Sequence, residues 1–153
     1  MNKFYIAYGS NLSVEQMAYR CPRAKIAGIG ELDNWRLAFG KHATIEPCKG
    51  ETVPVVVWMI DDKDERSLDR YEGCPRYYYK DDLAVTITDF DGENPIEVTG
   101  MVYIMTELQK NGYPSADFYY TIKEGYERFG FDTDKLDKAV YESVERAFGR
   151  KGA

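Results

Sequence analysis

Two short stretches of the chain carry residue types suited to chemistry near neutral pH. The first is "LDRYEGCPRYYYK", Leu68 to Lys80. Glu72 ends an expected helix just before a glycine turn, beside Tyr71 and ahead of Tyr77, Tyr78 and Tyr79. A carboxylate held among aromatic rings is poorly solvated, which raises its pKa towards neutrality. A general acid/base at neutral pH needs that property. The plainer reading is a surface glutamate near a helix end, because most glutamates are solvated. Cys74 has no histidine near it in sequence and reads as a small packing residue.

The second stretch is "FYIAYGSNLS", Phe4 to Ser13. A strand that runs into a helix start leaves backbone N–H groups without partners. The helix dipole adds partial positive charge there. Gly9 lets a ligand approach the backbone closely, and Ser10 and Asn11 offer side-chain donors. Such a junction suits a carboxylate or phosphate. The same residues also make an ordinary tight turn, and spacing alone does not choose between the two. Ser10 as a nucleophile is the weaker reading. "YGSNL" lacks the Gly-x-Ser-x-Gly spacing of a hydrolase elbow, and His42, the only histidine, would have to serve as base. A third stretch, "GYPSADFYYTIKEGYERFG", places Phe118, Ile122 and Tyr126 at helical spacing, which reads as core. Tyr119 and Tyr120 are its candidates to face a pocket.

These residues need elements to hold them. Lys3 to Tyr8 reads as a buried strand, and Ser13 opens "SVEQ", a capping box that starts a helix of about two turns. Strands are expected at Ala24 to Glu31 and Trp35 to Gly40, around a turn "LDN", with a short one at Thr44 to Pro47. Val53 to Ile60 is the clearest strand, β-branched and bounded by charges. Asp61 caps the helix that ends at Glu72, and Gly73 stops it. Tyr77 to Thr88 and Ile96 to Met105 form a hairpin around "DFDGEN". After the loop "LQKNGYPS" come two helices, Ser115 to Phe129 and Thr133 to Phe148. Strands first and helices last predict an α+β fold, a curled or barrel-like sheet with helices outside. The 153 residues suit a single domain spanning 1–153.

Composition narrows the functions. A net charge of −6 argues against a nucleic-acid groove, which needs clustered Lys and Arg. No apolar run approaches the roughly 20 residues of a membrane helix, and "MNKFYIAYGSN" has too short an apolar run for a secretory leader. Cys21, Cys48 and Cys74 are scattered and odd in number, which fits free thiols in a reducing cytoplasm. No Cys or His pair has metal spacing, and there is neither a Walker loop nor a dinucleotide fingerprint. Neither a metal nor a cofactor is expected. With 13 tyrosines, a pocket here is expected to be lined with phenols.

In order along the chain, "AYGSNL", "WRLAFG", "VVVWMI", "LDRYEG" before a tyrosine-bearing strand, and "PS…EG…G" resemble the gamma-glutamylcyclotransferase family, over about Lys3 to Leu136. The resemblance implies a small mixed sheet curled into a barrel with helices around it. It implies conversion of a γ-glutamyl amide into 5-oxoproline and a free amine, without metal or cofactor. Residue by residue, it makes Tyr8, Gly9, Ser10, Asn11 and Leu12 the loop that grips the γ-glutamyl group, and Glu72 the catalytic carboxylate. It places a family tyrosine at Tyr78, with Tyr79 as the alternative. Where many relatives have a tyrosine after "PS", this chain has Phe118, with Tyr119 next to it.

The chemistry of the residues agrees with that implication. The α-amine of a γ-glutamyl amide attacks its own γ-carbonyl, so an enzyme needs chiefly to align the two. Glu72 can take the ammonium proton and later deliver one to the leaving nitrogen. Backbone N–H groups from Gly9 to Leu12 can hold the α-carboxylate or polarise the γ-carbonyl. The leaving group stays open: an amino acid, a lysine-type amine, the cysteinylglycine of glutathione, or another amine. Two other classes stand beside this one, a small-molecule binding module that has lost catalysis and a serine hydrolase using Ser10. The oligomeric state is not legible in the sequence.

Overall fold

A computed structural model describes residues 2–107 and 111–149. Part of the expected loop "LQKNGYPS" therefore lies outside the described residues. The chain opens with strand β1 (Lys3–Ala7), a 3-10 turn (Ser10–Leu12) and helix α1 (Val14–Arg20). Strands β2 (Lys25–Phe39) and β3 (Ala43–Ile60) follow, then helix α2 (Asp62–Glu72), strands β4 (Tyr78–Thr88) and β5 (Ile96–Met105), and helices α3 (Ala116–Arg128) and α4 (Thr133–Phe148). The strands close into a barrel in the order β1-β3-β2-β4-β5. The architecture is the expected α+β barrel with helices around it.

Closure depends on β1, which pairs antiparallel with β3 and parallel with β5 through Phe4 with Gly100 and Tyr5 with Met101. Gly100 is required for this approach, since a Cβ there would stand 2.8 Å from Ile6 Cγ1. The run "VPVVVWMI" reads as continuously apolar because β3 is covered on both faces. Val55, Val56 and Val57 are all fully buried.

Two expectations about β2 and β3 need correction. "LDN" is not a turn between strands. It is a bulge inside one strand, with Asn34 at φ 67 and a register shift between Asp33 and Trp35. The Asn34 side chain accepts a hydrogen bond from Gly50 N across the hairpin. An Asn tolerates the left-handed conformation that such a bulge demands. Likewise Thr44–Pro47 and Val53–Ile60 belong to one strand, because the bulged partner runs beside both. The Ser13 capping box is half formed. Ser13 Oγ accepts from Gln16 N, while Ser13 N donates to Ser10 O. At α2 the box is complete, with Asp61 and Asp64 each accepting from the other's amide.

Helix α3 packs against the 3-10 turn, and α4 packs along β2. Arg146 on α4 donates to Phe39 O at the end of β2. No helix among the described residues is long and apolar enough to cross a membrane.

Candidate active site

The 3-10 turn joins the end of β1 to α1. Its hydrogen bonds begin with Leu12 N to Gly9 O and Ser13 N to Ser10 O. The amides of Ser10 and Asn11 therefore have no acceptor inside the turn. Asn11 is buried and held from three sides. Its Nδ2 donates to the Tyr5 hydroxyl, its Oδ1 accepts from Arg20, and its carbonyl accepts from Trp58 Nε1. Leu12 is fully buried beneath the turn, where α3 comes so close that a Cβ on Gly125 would stand 2.7 Å from Leu12 Cβ.

Above this turn lies a cavity of about 290 Å³. Tyr8, Gly9, Ser10 and Asn11 line it, together with Glu72 at the end of α2 and Tyr78 at the start of β4. Tyr5, Tyr103 and Phe118 complete much of the wall, with Tyr71, Tyr77 and His42 also reaching it. Residues up to 95 positions apart are tied together here, as in the bond from Tyr8 OH to Tyr103 O at 2.5 Å. Tyr78 OH donates to Ala43 O at 2.6 Å, and Tyr103 OH donates to Asp69 Oδ1 at 2.6 Å.

Glu72 is half-buried, and no hydrogen bond from the described residues reaches its carboxylate. Burial pushes its pKa up to about 7, against a smaller pull downward from the Arg20 charge. The phenols around it are likewise held in their protonated form. Burial, reinforced by the negative charge at Glu72, holds Tyr5, Tyr8 and Tyr78 well above the usual phenol range. Burial and the Asp69 hydrogen bond do the same for Tyr103. These four phenols are neutral hydrogen-bonding groups at physiological pH. His42 is pulled below its ordinary 6.5 by burial and by Lys41, so it too is neutral there. Glu72 is the cavity group poised to exchange a proton near pH 7.

The structure brings the two sequence stretches together, with one exception. Leu12 does not line the cavity. Its side chain is core and its amide is spent inside the turn, so it anchors the loop instead of offering a donor. The strand alternation in "YYYK" sends the two candidate tyrosines to opposite sides. Tyr78 is 7% exposed and faces the cavity, while Tyr79 is 44% exposed and is absent from the lining. Strict alternation would put Tyr77 on the same side as Tyr79. It lies in the turn ahead of β4, with its N–H bonded to Gly73 O, and so escapes the alternation. Phe118 was expected in the core with Ile122 and Tyr126, but it is half-buried at the cavity wall, edge-on to His42 at 5.2 Å. Tyr119 bonds Asp137 and Tyr120 is exposed, and neither lines the cavity.

Sequence reasoning missed Tyr5, Tyr103 and Arg20. Tyr103 carried a signal, being the one residue with a polar tip inside "MVYIM". Arg20 carried none, because a cation in the last turn of a helix is ordinary. Ser10 Oγ lies 3.5 Å from the Tyr71 hydroxyl. His42 shares the cavity, yet no hydrogen bond joins it to Ser10 among the described residues. No group of three or more His, Cys, Asp or Glu residues suited to a metal occurs among the described residues.

Fold and cavity together define a small helix-wrapped barrel with one titrating carboxylate facing an amide-bearing turn. Comparison with known proteins supplies the family. The family model described as "Gamma-glutamyl cyclotransferase, AIG2-like" matches residues 5–125. The chain belongs to that family. A Bos taurus protein named gamma-glutamylcyclotransferase is 32% identical over 117 residues, 69% of this chain and 60% of the relative. The Homo sapiens protein of the same name is 29% identical over 146 residues, 88% of this chain and 75% of the relative. The match thus spans well under the full length of the bovine relative. A solved structure named gamma-glutamyl cyclotransferase superposes with a TM-score of 0.75 at 27% identity, covering 91% of this chain and 86% of that one.

Proposed function

We propose that this protein is a cofactor-independent cyclotransferase that releases 5-oxoproline from a γ-glutamyl amide. The observation that carries this reading is the placement of Glu72. It has a pKa near neutrality and no hydrogen-bond partner among the described residues, and it shares one cavity with the turn from Tyr8 to Asn11.

The substrate's α-ammonium gives its proton to the Glu72 carboxylate. The freed amine attacks the γ-carbonyl, and a new C–N bond closes the five-membered lactam. Glu72 returns this proton to the leaving nitrogen as the old C–N bond breaks, and the second proton of the ring nitrogen passes to the departing amine, which leaves as its ammonium ion. Nothing is oxidised and no water is consumed. The amides of Ser10 and Asn11 hold the α-carboxylate or the developing oxyanion, where fixed donors count most. Tyr78, whose proton is given to Ala43 O, offers its oxygen lone pairs to an N–H of the substrate. The walls of Tyr5, Tyr8 and Tyr103 limit the conformers of the glutamyl chain, and such alignment is worth up to about 7–11 kcal/mol in the best intramolecular reactions.

The test is incubation with a panel of γ-glutamyl compounds, differing in the leaving amine, with 5-oxoproline read by mass spectrometry. Release from at least one compound, with no covalent adduct on Ser10, is expected. Binding without release from any compound would favour a binding module. An added γ-glutamyl mass that vanishes in Ser10→Ala would favour a serine hydrolase. Three free cysteines fit a reducing compartment such as the cytoplasm.

A further inference from the structure

We propose that Arg20 is the positioning cation of this site: its guanidinium, clamped between the Tyr71 ring and the Asn11 carboxamide, aligns the Glu72 end of α2 with the opening turn and supplies positive charge to the Glu72 carboxylate. The role in turnover rests on the reading of Glu72 as the proton carrier.

Arg20 is the last residue of α1 and is half-buried. Its Nη1 donates to Asn11 Oδ1 at 2.5 Å, and its Cζ stands 3.3 Å from the centre of the Tyr71 ring. Its carbonyl accepts from Ser67 Oγ at 2.9 Å. Ser67 and Tyr71 are four residues apart and so lie on one face of α2. A single residue therefore grips α2 at two successive turns and the 3-10 turn at one point. The Asn11 bond also fixes which way that carboxamide faces, because a guanidinium only donates. Nδ2 is left to the Tyr5 hydroxyl, and the Asn11 backbone is held under the cavity. Tyr71, 45% exposed, has its ring covered by the guanidinium on one face. Glu72 follows it directly.

The charge on Arg20 is not consumed elsewhere. It forms no ion pair with a carboxylate among the described residues. The groups facing Glu72 from the other elements are neutral at physiological pH. They are Tyr5 and Tyr8 on β1, Tyr78 on β4, Tyr103 on β5, and His42 ahead of β3. The Cys74 thiol is pushed up by burial and by Asp69. Asp69 itself is paired with Lys80 and bonded by Tyr103. Burial favours protonated Glu72, and Arg20 is the group that opposes it. Removing the cation leaves burial unopposed, so Glu72 holds its proton to higher pH. A lysine would keep the charge and lose the planar stack and the fork.

The experiment labels the full chain with ¹³C at glutamate carboxyls and follows the Glu72 signal, assigned with Glu72→Gln, through a pH titration. Wild type, Arg20→Gln and Arg20→Lys are compared, with circular dichroism to check folding. The expected midpoint is about 7 in wild type, displaced upward in Arg20→Gln and close to wild type in Arg20→Lys. In turnover, Arg20→Gln should lose several-fold more activity at about pH 6 than at about pH 8.5, while Arg20→Lys should lower the rate equally at both. An unmoved midpoint in folded Arg20→Gln overturns the proposal, as does a midpoint in Arg20→Lys displaced as far as in Arg20→Gln. Should Arg20→Gln not fold, Arg20→Lys decides alone: a lowered plateau on the wild-type pH limb supports the proposal, and a displaced limb overturns it. If no γ-glutamyl compound is turned over, the reaction assigned to this site fails, and the titration still decides whether Arg20 acts on Glu72.

Discussion

At the scale of single residues, the cavity separates groups that exchange protons from groups that only hydrogen-bond. Glu72→Gln keeps shape and volume and cannot carry a proton. Loss of a positioned acid/base costs about 10²–10⁴ in rate, and in the proposed reaction one group both takes and returns the proton, so the upper end is expected. Steady-state release of 5-oxoproline measures it, and near-wild-type turnover would remove Glu72 from the mechanism. Tyr78 and Tyr79 make a matched pair of controls one residue apart. Tyr78→Phe strips Ala43 O of its buried donor and removes a polar atom from the cavity. An unsatisfied buried acceptor costs about 1–3 kcal/mol, so both the melting temperature and kcat/KM should fall, the latter roughly ten- to hundredfold. Tyr79→Phe changes an exposed hydroxyl and should move neither. The reverse pattern would mean that the cavity face of β4 is misassigned.

At the scale of elements, the amide-bearing turn has its geometry because α3 presses Leu12 from below. Gly125 sits inside α3, where glycine costs roughly 0.5–1 kcal/mol relative to alanine. Helix propensity alone therefore predicts that Gly125→Ala stabilises the protein. Packing predicts the opposite, since the new Cβ would stand 2.7 Å from Leu12 Cβ. Either α3 backs away or the 3-10 turn shifts towards the cavity. A displacement on the order of 1 Å at a reacting centre can cost about 10²-fold. Gly125→Ala is thus expected to lower the melting temperature by a few degrees and kcat/KM at least tenfold, read by thermal unfolding and by kinetics on one active substrate. A stabilised variant with full activity would show that α3 does not set the turn.

At the scale of the whole molecule, a buried carboxylate burdens the fold in a defined pH window. Glu72 titrates at about 7 in the folded protein against an ordinary 4.5. The folded state binds that proton more tightly than the unfolded state, so the contribution to stability is complete below about pH 4.5 and is lost as pH rises to about 7. The loss is on the order of 3 kcal/mol. Glu72→Gln carries no charge at any pH and escapes it. Its melting temperature should exceed that of wild type at about pH 8, and the gap should close at about pH 4.5. An equal gap at both pH values would mean that the carboxylate is better solvated than its surroundings imply.

Much of this molecule was legible locally. Glu72 beside its glycine stop, the Asp61 cap and the β-branched run of β3 follow from hydrogen-bonding capacity and periodicity within a dozen residues. So did the α+β order of elements and the chemistry available to Glu72 and the Tyr8–Asn11 turn. What the sequence hid depends on partners far along the chain. Asn34 and Gly50 join two expected strand pairs into one long bulged hairpin, and a bulge looks like a turn until its partner strand is known. Leu12 turns away from the cavity into the core because Gly125, more than a hundred residues later, leaves room beneath it. Tyr5 and Tyr103 meet at the cavity because β1 closes the barrel against β5. Arg20 becomes part of the site only when α2 folds back over α1. Local sequence determined which groups can do chemistry, since that is a property of each side chain and its near neighbours. Tertiary structure decided their solvation and orientation, because both are set by groups distant in the chain that burial brings together.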